Sequence, residues 1–351
     1  MNKRSEYIDI AKGLGILAVI WGHIIVGHWT GKLVYSFHMP LFFFISGMLF
    51  VKEKYPKFGP FVIVRARRLL VPYICYFVIT WALWALFHWV SHSPVDSYWA
   101  PLLQIVLAQG SGQFIVHNSP LWFIPCLFAV ELMYYPISKL KDLWALVLSL
   151  SICGLSIALE HSFGESYLLA LPWNLDAAMM ALPFYALGNL WMRHTTLENV
   201  DGWIHGHPWL SLGIVLILTV GLVAATFLYP GISMGYSAYG NEYVFHARAL
   251  FGIVSTIVFS SLLAHTSFIP RLRNYLSWLG RVSLDIMCTH VPVKGILLLA
   301  LAIALESSAT AVGRNFHYAL AVFAVTLLIV SVMVRWIDRC RKRIGAKNTI
   351  G

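Results

Sequence analysis

The chain has 351 residues, of which 59% are hydrophobic and only 11% charged, with a formal net charge of +10. Soluble domains carry roughly a quarter charged residues, so this composition excludes a water-solvated globule and requires a bilayer as part of the solvent. The positive charge is not a nucleic-acid footprint either, because it sits in short loops between apolar runs.

A membrane-crossing helix needs about 20 mostly apolar residues. In chain order such segments are predicted at about 8–28, 33–51, 69–90, 119–138, 143–160, 168–191, 209–229, 243–264, 276–304 and 316–336. The fold class is therefore an all-α integral-membrane bundle of about ten transmembrane helices. Residues 1–340 form a single transmembrane domain and 341–351 a basic tail. The leader "MNKR" precedes the first apolar run like a signal peptide, but no small-x-small cleavage motif follows, so the helix is expected to be retained. With the N-terminus in the cytoplasm, 20 of the 25 Lys and Arg fall on the inner side. Only Lys32 and Arg314 fall outside, while Lys12, Arg248 and Lys294 lie within or at the ends of spans. This bias puts both termini in the cytoplasm. The longest polar outer segment, about 91–118, is expected to hold a short interfacial helix. The five cysteines have neither metal-ligand nor disulfide-framework spacing.

The stretch "KGLGILAVIWGH" keeps a lysine and a histidine inside the first span. An ionisable group there costs roughly 2.5–3.5 kcal/mol on insertion scales and usually has a partner and a function. Lys12 and His23 are eleven residues apart, close to three turns, so both lie on one stripe roughly 16 Å long. Each also has a plain reading, a snorkelling lysine and a helix-packing histidine. The next span, "YSFHMPLFFFISGMLF", carries His38 near its outer end. A tight hairpin brings His38 to the depth of His23, with Pro40 loosening the helix and Ser46-Gly47 allowing close packing. "RARRLLVPY" sets Arg65, Arg67 and Arg68 before the third span. They serve either the positive-inside rule or a phosphate cradle, since guanidinium groups match phosphate oxygens.

Later spans add Glu131, Asp176, Arg248, Asp285 and His290. Asp285 and His290 are five residues apart, about 140° around the helix, so they do not pair with each other. Glu131, Asp176 and Asp285 are candidate acids to orient His23, as carboxylates orient catalytic imidazoles; Asp285 is also placed to pair with a basic group. Arg248 faces Glu242 or an acceptor. In "HNSPLWFIP", Asn118 beside Trp122 suits a sugar cleft, against the competing reading of an interfacial aromatic belt that also includes Trp29, Tyr35, Trp173, Tyr236 and Tyr239.

Taken together, "YIDIAKGLGILAVIWGH", "YSFHMPLFFFISG", "RARRLLVPY" and "LGRVSLDIMCTHVP" resemble the successive motifs of the membrane acyltransferase-3 family, the integral-membrane O-acyltransferases of bacterial surface glycans. Lys12-x10-His23 matches the family's basic-x10-His signature, and the second motif is closest in style to the exopolysaccharide and fucose acetylase branch. The resemblance implies a multi-pass enzyme of the bacterial cytoplasmic membrane. It implies transfer of an acyl group, usually acetyl from acetyl-CoA, to a hydroxyl of an extracytoplasmic or carrier-linked glycan, with no metal. On that basis Lys12, Ser46, Arg65, Arg67 and Arg68 would hold CoA, and His23, with His38 and His290, would serve catalysis. Trp122, Asn118 and Arg248 would meet the glycan. The chain is expected to depart from the two-domain members, which carry an appended soluble domain. A different class, a proton-coupled transporter of a sugar or lipid, would use the same buried His and acidic residues as a relay. The matched, Gly/Pro-broken repeat halves frequent in such carriers are not found.

Overall fold

The computed structural model describes residues 5–92, 94–109, 115–164, 171–229, 234, 239 and 241–347. The leader 1–4 and Tyr236, singled out above, lie outside the described residues. The described chain is helical throughout: α1 (Glu6–Ile24), α2 (Trp29–Tyr35), α3 (His38–Met48), α4 (Phe58–Val90), α5 (Phe123–Ile137), α6 (Asp142–Phe163), α7 (Leu175–His194), α8 (Leu197–Gly206), α9 (Pro208–Leu228), α10 (Glu242–Ala264), α11 (Pro270–Arg281), α12 (Ser283–Ala304), α13 (Ala309–Arg314) and α14 (Phe316–Lys347). Among the described residues, eight helices are long and apolar enough to cross a membrane: α1, α4, α5 with the 3-10 turn before it, α6, α9, α10, α12 and α14.

The two other expected spans take different forms. Over 33–51 the chain breaks at Ser36–Phe37, and α3 has 11 residues, about 16 Å, half the hydrocarbon thickness. The cause is local. Pro40 lies in the first turn of α3, where its missing N–H costs nothing, and it cannot continue a helix arriving from α2. The side chain of His38 ties the start of α3 back to the end of α2: its Nδ1–H donates to Val34 O at 2.5 Å, a carbonyl that also accepts from Phe37 N at 3.2 Å. Over 168–191 a helix forms from Leu175, as α7. It carries Asp176, Asn189 and Arg193, and its burial between α3, α5 and α6 permits that polarity. In the polar segment 91–118, a 3-10 turn at Ala100–Leu103 runs into the one-turn helix Gln104–Leu107.

Glycines set the tightest approaches. A Cβ on Gly13 would collide with the Leu276 carbonyl, and one on Gly280 with the Asp9 carbonyl, so α1 and α11 cross almost backbone to backbone. Gly47 and Gly188 do the same for α3 and α7, against the carbonyls of Tyr185 and Phe44. Asn189 locks the second crossing: its Nδ2 donates to Phe50 O at 2.9 Å, and its Oδ1 accepts from Tyr134 Oη at 2.9 Å. α1 and α3 meet directly where Leu41 and Phe42 pack on Gly15, which sets the relative depth of Lys12, His23, His38 and Ser46.

Candidate active site

Three helices bring the histidines together. The His23 ring lies 5.2 Å from that of His290 and 6.0 Å from Tyr35, and Tyr35 lies 5.1 Å from His38. Tyr35, at the end of α2, is thus wedged between the two histidines of the hairpin. His290 Nδ1–H donates to Ile286 O at 3.1 Å and Met287 O at 2.9 Å. His38 and His290 are therefore both tied by Nδ1 to a helix carbonyl, which fixes Nε2 as the lone-pair nitrogen of each neutral ring. The Nε2 of His290 is buried without a hydrogen-bond partner. His23 differs: it is half-buried, and its ring makes no hydrogen bond to a described residue. Lys294, one turn after His290 on α12, donates from Nζ to His23 O at 2.8 Å. That carbonyl belongs to the last turn of α1, where backbone acceptors lack helical partners and a cation is favoured.

α12 contains Pro292, which lacks the N–H that would bond the carbonyl four residues earlier. That carbonyl is Cys288 O, and it receives Asn118 Nδ2 at 2.6 Å instead. The neighbouring His117 packs edge-on against Phe77 of α4 at 4.4 Å between centroids. Burial takes its imidazole down to about 4, so it is neutral at physiological pH.

Below the histidines lies an open cavity of 750 Å³, bordered by α1, α3, α4, α12 and α14. Lys12, Ser46 and Arg68 line it, and so do Arg281 and Arg341. It reaches Ile16, on the Lys12–His23 stripe, and Met287, one turn before His290. Asp285 is also in its wall, accepting from Tyr76 Oη at 2.7 Å and from Arg341 Nη1 at 2.9 Å. Asp285 thus pairs with a basic group rather than with His23.

The remaining sequence candidates are set apart from the histidines. Arg65, one turn from Arg68, turns away from the cavity and is held through Nε and Nη2 by the carboxylate of Glu131, which is fully buried on α5. This pair engages both the expected phosphate ligand and the expected orienting acid, and it braces α4 against α5. Arg67 is exposed and outside the cavity lining. Asp176 is buried in the first turn of α7, where a carboxylate suits the helix N-terminus. Arg248 donates to Tyr229 O at 2.5 Å and Ala225 O at 3.3 Å, capping the end of α9, while Glu242 lies 3.9 Å from His161. Trp122 is buried in the turn before α5, and it is Phe123 that borders the cavity. Sequence reasoning notes Lys294 as a cation within a span but assigns neither it nor Arg281, Arg341 or Tyr76 to the site. The i, i+4 spacing of His290 and Lys294 is the available signal for the first.

Fold and site together define a multi-pass membrane protein with a basic cavity that leads toward a buried histidine cluster. The family model described as an acyltransferase domain, of the acyltransferase-3 type, matches residues 5–335. The chain belongs to that family. It is also similar to the nodulation protein NolL of Mesorhizobium japonicum, 26% identical over 282 residues that cover 76% of this chain and 68% of NolL. No solved structure matches it.

Proposed function

We propose that this membrane acyltransferase moves an acetyl group from cytoplasmic acetyl-CoA to a hydroxyl of a glycan on the other side of the bacterial inner membrane. The observation that carries the proposal is the continuity of the cavity: cations at one end, and at the other Ile16 and Met287, each within about two turns of the His23–His290 pair. Lys12, Arg68, Arg281 and Arg341 supply charge for the phosphates of CoA, and Ser46 a hydroxyl beside them. In this reading the cations lie at the cytoplasmic end, which the Lys/Arg bias of the loops supports. The pantetheine arm runs up the stripe toward His23.

His23 is the general base in this reading, because its ring nitrogens make no hydrogen bond to a described residue while the rings of His38 and His290 are anchored. The imidazole takes the proton of the acceptor hydroxyl as its oxygen attacks the thioester carbonyl. The carbon–sulfur bond then breaks, and the departing CoA thiolate takes the proton back from the imidazolium. Lys294, clamped to the His23 carbonyl, holds that end of α1 in position. The test is thiol release from acetyl-CoA by purified protein with an acceptor glycan. His23→Ala should lower turnover by about 10²–10⁴-fold at normal protein levels. Near-normal turnover by that variant would move the base to His290.

A further inference from the structure

We infer that a cleft at the end of α4 remote from Lys12 binds the acceptor as a neutral saccharide and passes its hydroxyl by His117 and Asn118 to the histidine pair; this rests on the acyl-transfer reading above. The cleft measures 480 Å³ and is walled by Trp84 and His88 of α4, Asp96 and Ser97 of the following loop, and Val116. Trp84 stands sixteen residues beyond Arg68, roughly 24 Å along α4, and five beyond Ile79, the last α4 residue in the wall of the basic cavity, so the cleft lies past the far end of that cavity. That volume is typical of a small-molecule site.

The lining chemistry selects the ligand class. The half-buried Trp84 ring, flanked by Tyr98 at 6.1 Å, offers an aromatic surface of the kind that packs on the C–H face of a sugar ring. Asp96 is exposed and accepts hydrogen bonds. Ser97 Oγ already accepts from the N–H groups of Trp99 and Ala100 at 3.2 and 3.1 Å, which leaves its O–H to donate. Among the described lining residues there is no Lys or Arg. A phosphate or an anionic sugar would find no cation here and would meet Asp96, whereas an uncharged polyol is matched.

A second observation links the cleft to the chemistry. His88 Nδ1, both nitrogens of His117, Asn118 Oδ1 and His290 Nε2 are buried without a hydrogen-bond partner among the described residues. Such atoms are rare in folded proteins, and each calls for an explanation. These groups follow one another along the chain and its contacts. His88 is in the cleft wall and packs on Trp84 at 5.0 Å, Val116 is in the wall beside His117, and Asn118 is bonded to Cys288, two residues before His290. Hydroxyl groups, each both donor and acceptor, are the ligand chemistry that would satisfy imidazole nitrogens and an amide oxygen in succession.

The experiment measures separate KM values for acetyl-CoA and for acceptor, using the full chain in detergent. The acceptor probe is surface polysaccharide purified from a deletion strain and freed of esters by mild base. Trp84→Ala and Asp96→Asn should each raise the acceptor KM about tenfold, as loss of one strong polar or packing contact does. The KM for acetyl-CoA should stay within about twofold of wild type, and Trp84→Phe, which keeps an aromatic face, should recover most of the acceptor KM. If Trp84→Ala does not accumulate, Asp96→Asn decides alone, because its side chain is exposed. A wild-type acceptor KM in Asp96→Asn and Trp84→Ala overturns the cleft assignment. Failure of the wild-type protein to consume acetyl-CoA overturns the acyl-transfer reading, a result distinct from the first.

Discussion

Asn118→Ala should destabilise the turn of α12 that carries His290, and Pro292→Ala should cancel the damage. Pro292 cannot donate to Cys288 O, and Asn118 Nδ2 does so at 2.6 Å. Truncating Asn118 leaves a carbonyl unpaired inside the bundle, which costs about 1–3 kcal/mol. In the Pro292→Ala variant a backbone N–H is restored four residues after Cys288, and the same truncation should cost little. A double-mutant cycle should therefore return a coupling of about 1–2 kcal/mol. Thermal unfolding in detergent, followed with a thiol-reactive dye, suits the measurement because Cys126, Cys153 and Cys288 are buried until the fold opens. Stability is the proper readout, since Asn118 Oδ1 is also assigned to the acceptor path and activity would mix the two roles. Equal losses from Asn118→Ala in the wild-type and Pro292→Ala backgrounds would refute the idea that the asparagine stands in for the missing amide.

Arg65→Met and Glu131→Leu should each destabilise the protein by about 3–5 kcal/mol, with the pair of substitutions recovering most of that loss, because a buried ion pair is costly to break and cheap to replace; a fully stable Arg65→Met protein with a raised KM for acetyl-CoA would instead make Arg65 a donor ligand. Lys12→Ala and Arg68→Ala should raise the KM for acetyl-CoA with smaller effects on kcat, while Arg67→Ala, outside the cavity lining, should leave both unchanged in the same thiol-release assay.

How much of this is legible in the sequence depends on the range of the interaction. The apolar runs, the Lys12–His23 stripe and the depth of His38 follow from helical periodicity and loop length, and they reappear as α1, the broken hairpin and the ring contacts through Tyr35. Pro40 reads in the sequence as loosening a helix, and in the structure it starts one, because a proline is compatible with a first turn but not with the interior. The assignment of acids is beyond reach. Glu131 and Arg65 lie 66 residues apart, Asp285 and Arg341 56 apart, and no local pattern says which buried carboxylate meets which guanidinium. Arg65 and Arg68 have the same chemistry in the same motif. Only the rotation of α4 about its axis, fixed by packing on α5, sends one to Glu131 and the other to the cavity.

The same reasoning explains why α12 governs the site. Three of its groups are tied to four other parts of the chain, Asp285 to Tyr76 of α4 and Arg341 of α14, Cys288 O to Asn118, and Lys294 to the end of α1, while the His290 ring is tied to the turn beneath it in α12 itself. These ties fall between residues 285 and 294, about 14 Å of helix, and they bracket the level at which the cavity ends and the histidines meet. Each is a polar contact where hydrocarbon offers no substitute, so movement of α12 would leave several groups unmatched at once. A thioester carbonyl and a hydroxyl react only when held about 3 Å apart in a fixed orientation. Tied in this way to α1, α4 and α14 and to Asn118, α12 holds His290, and through Lys294 the His23 end of α1, to that tolerance.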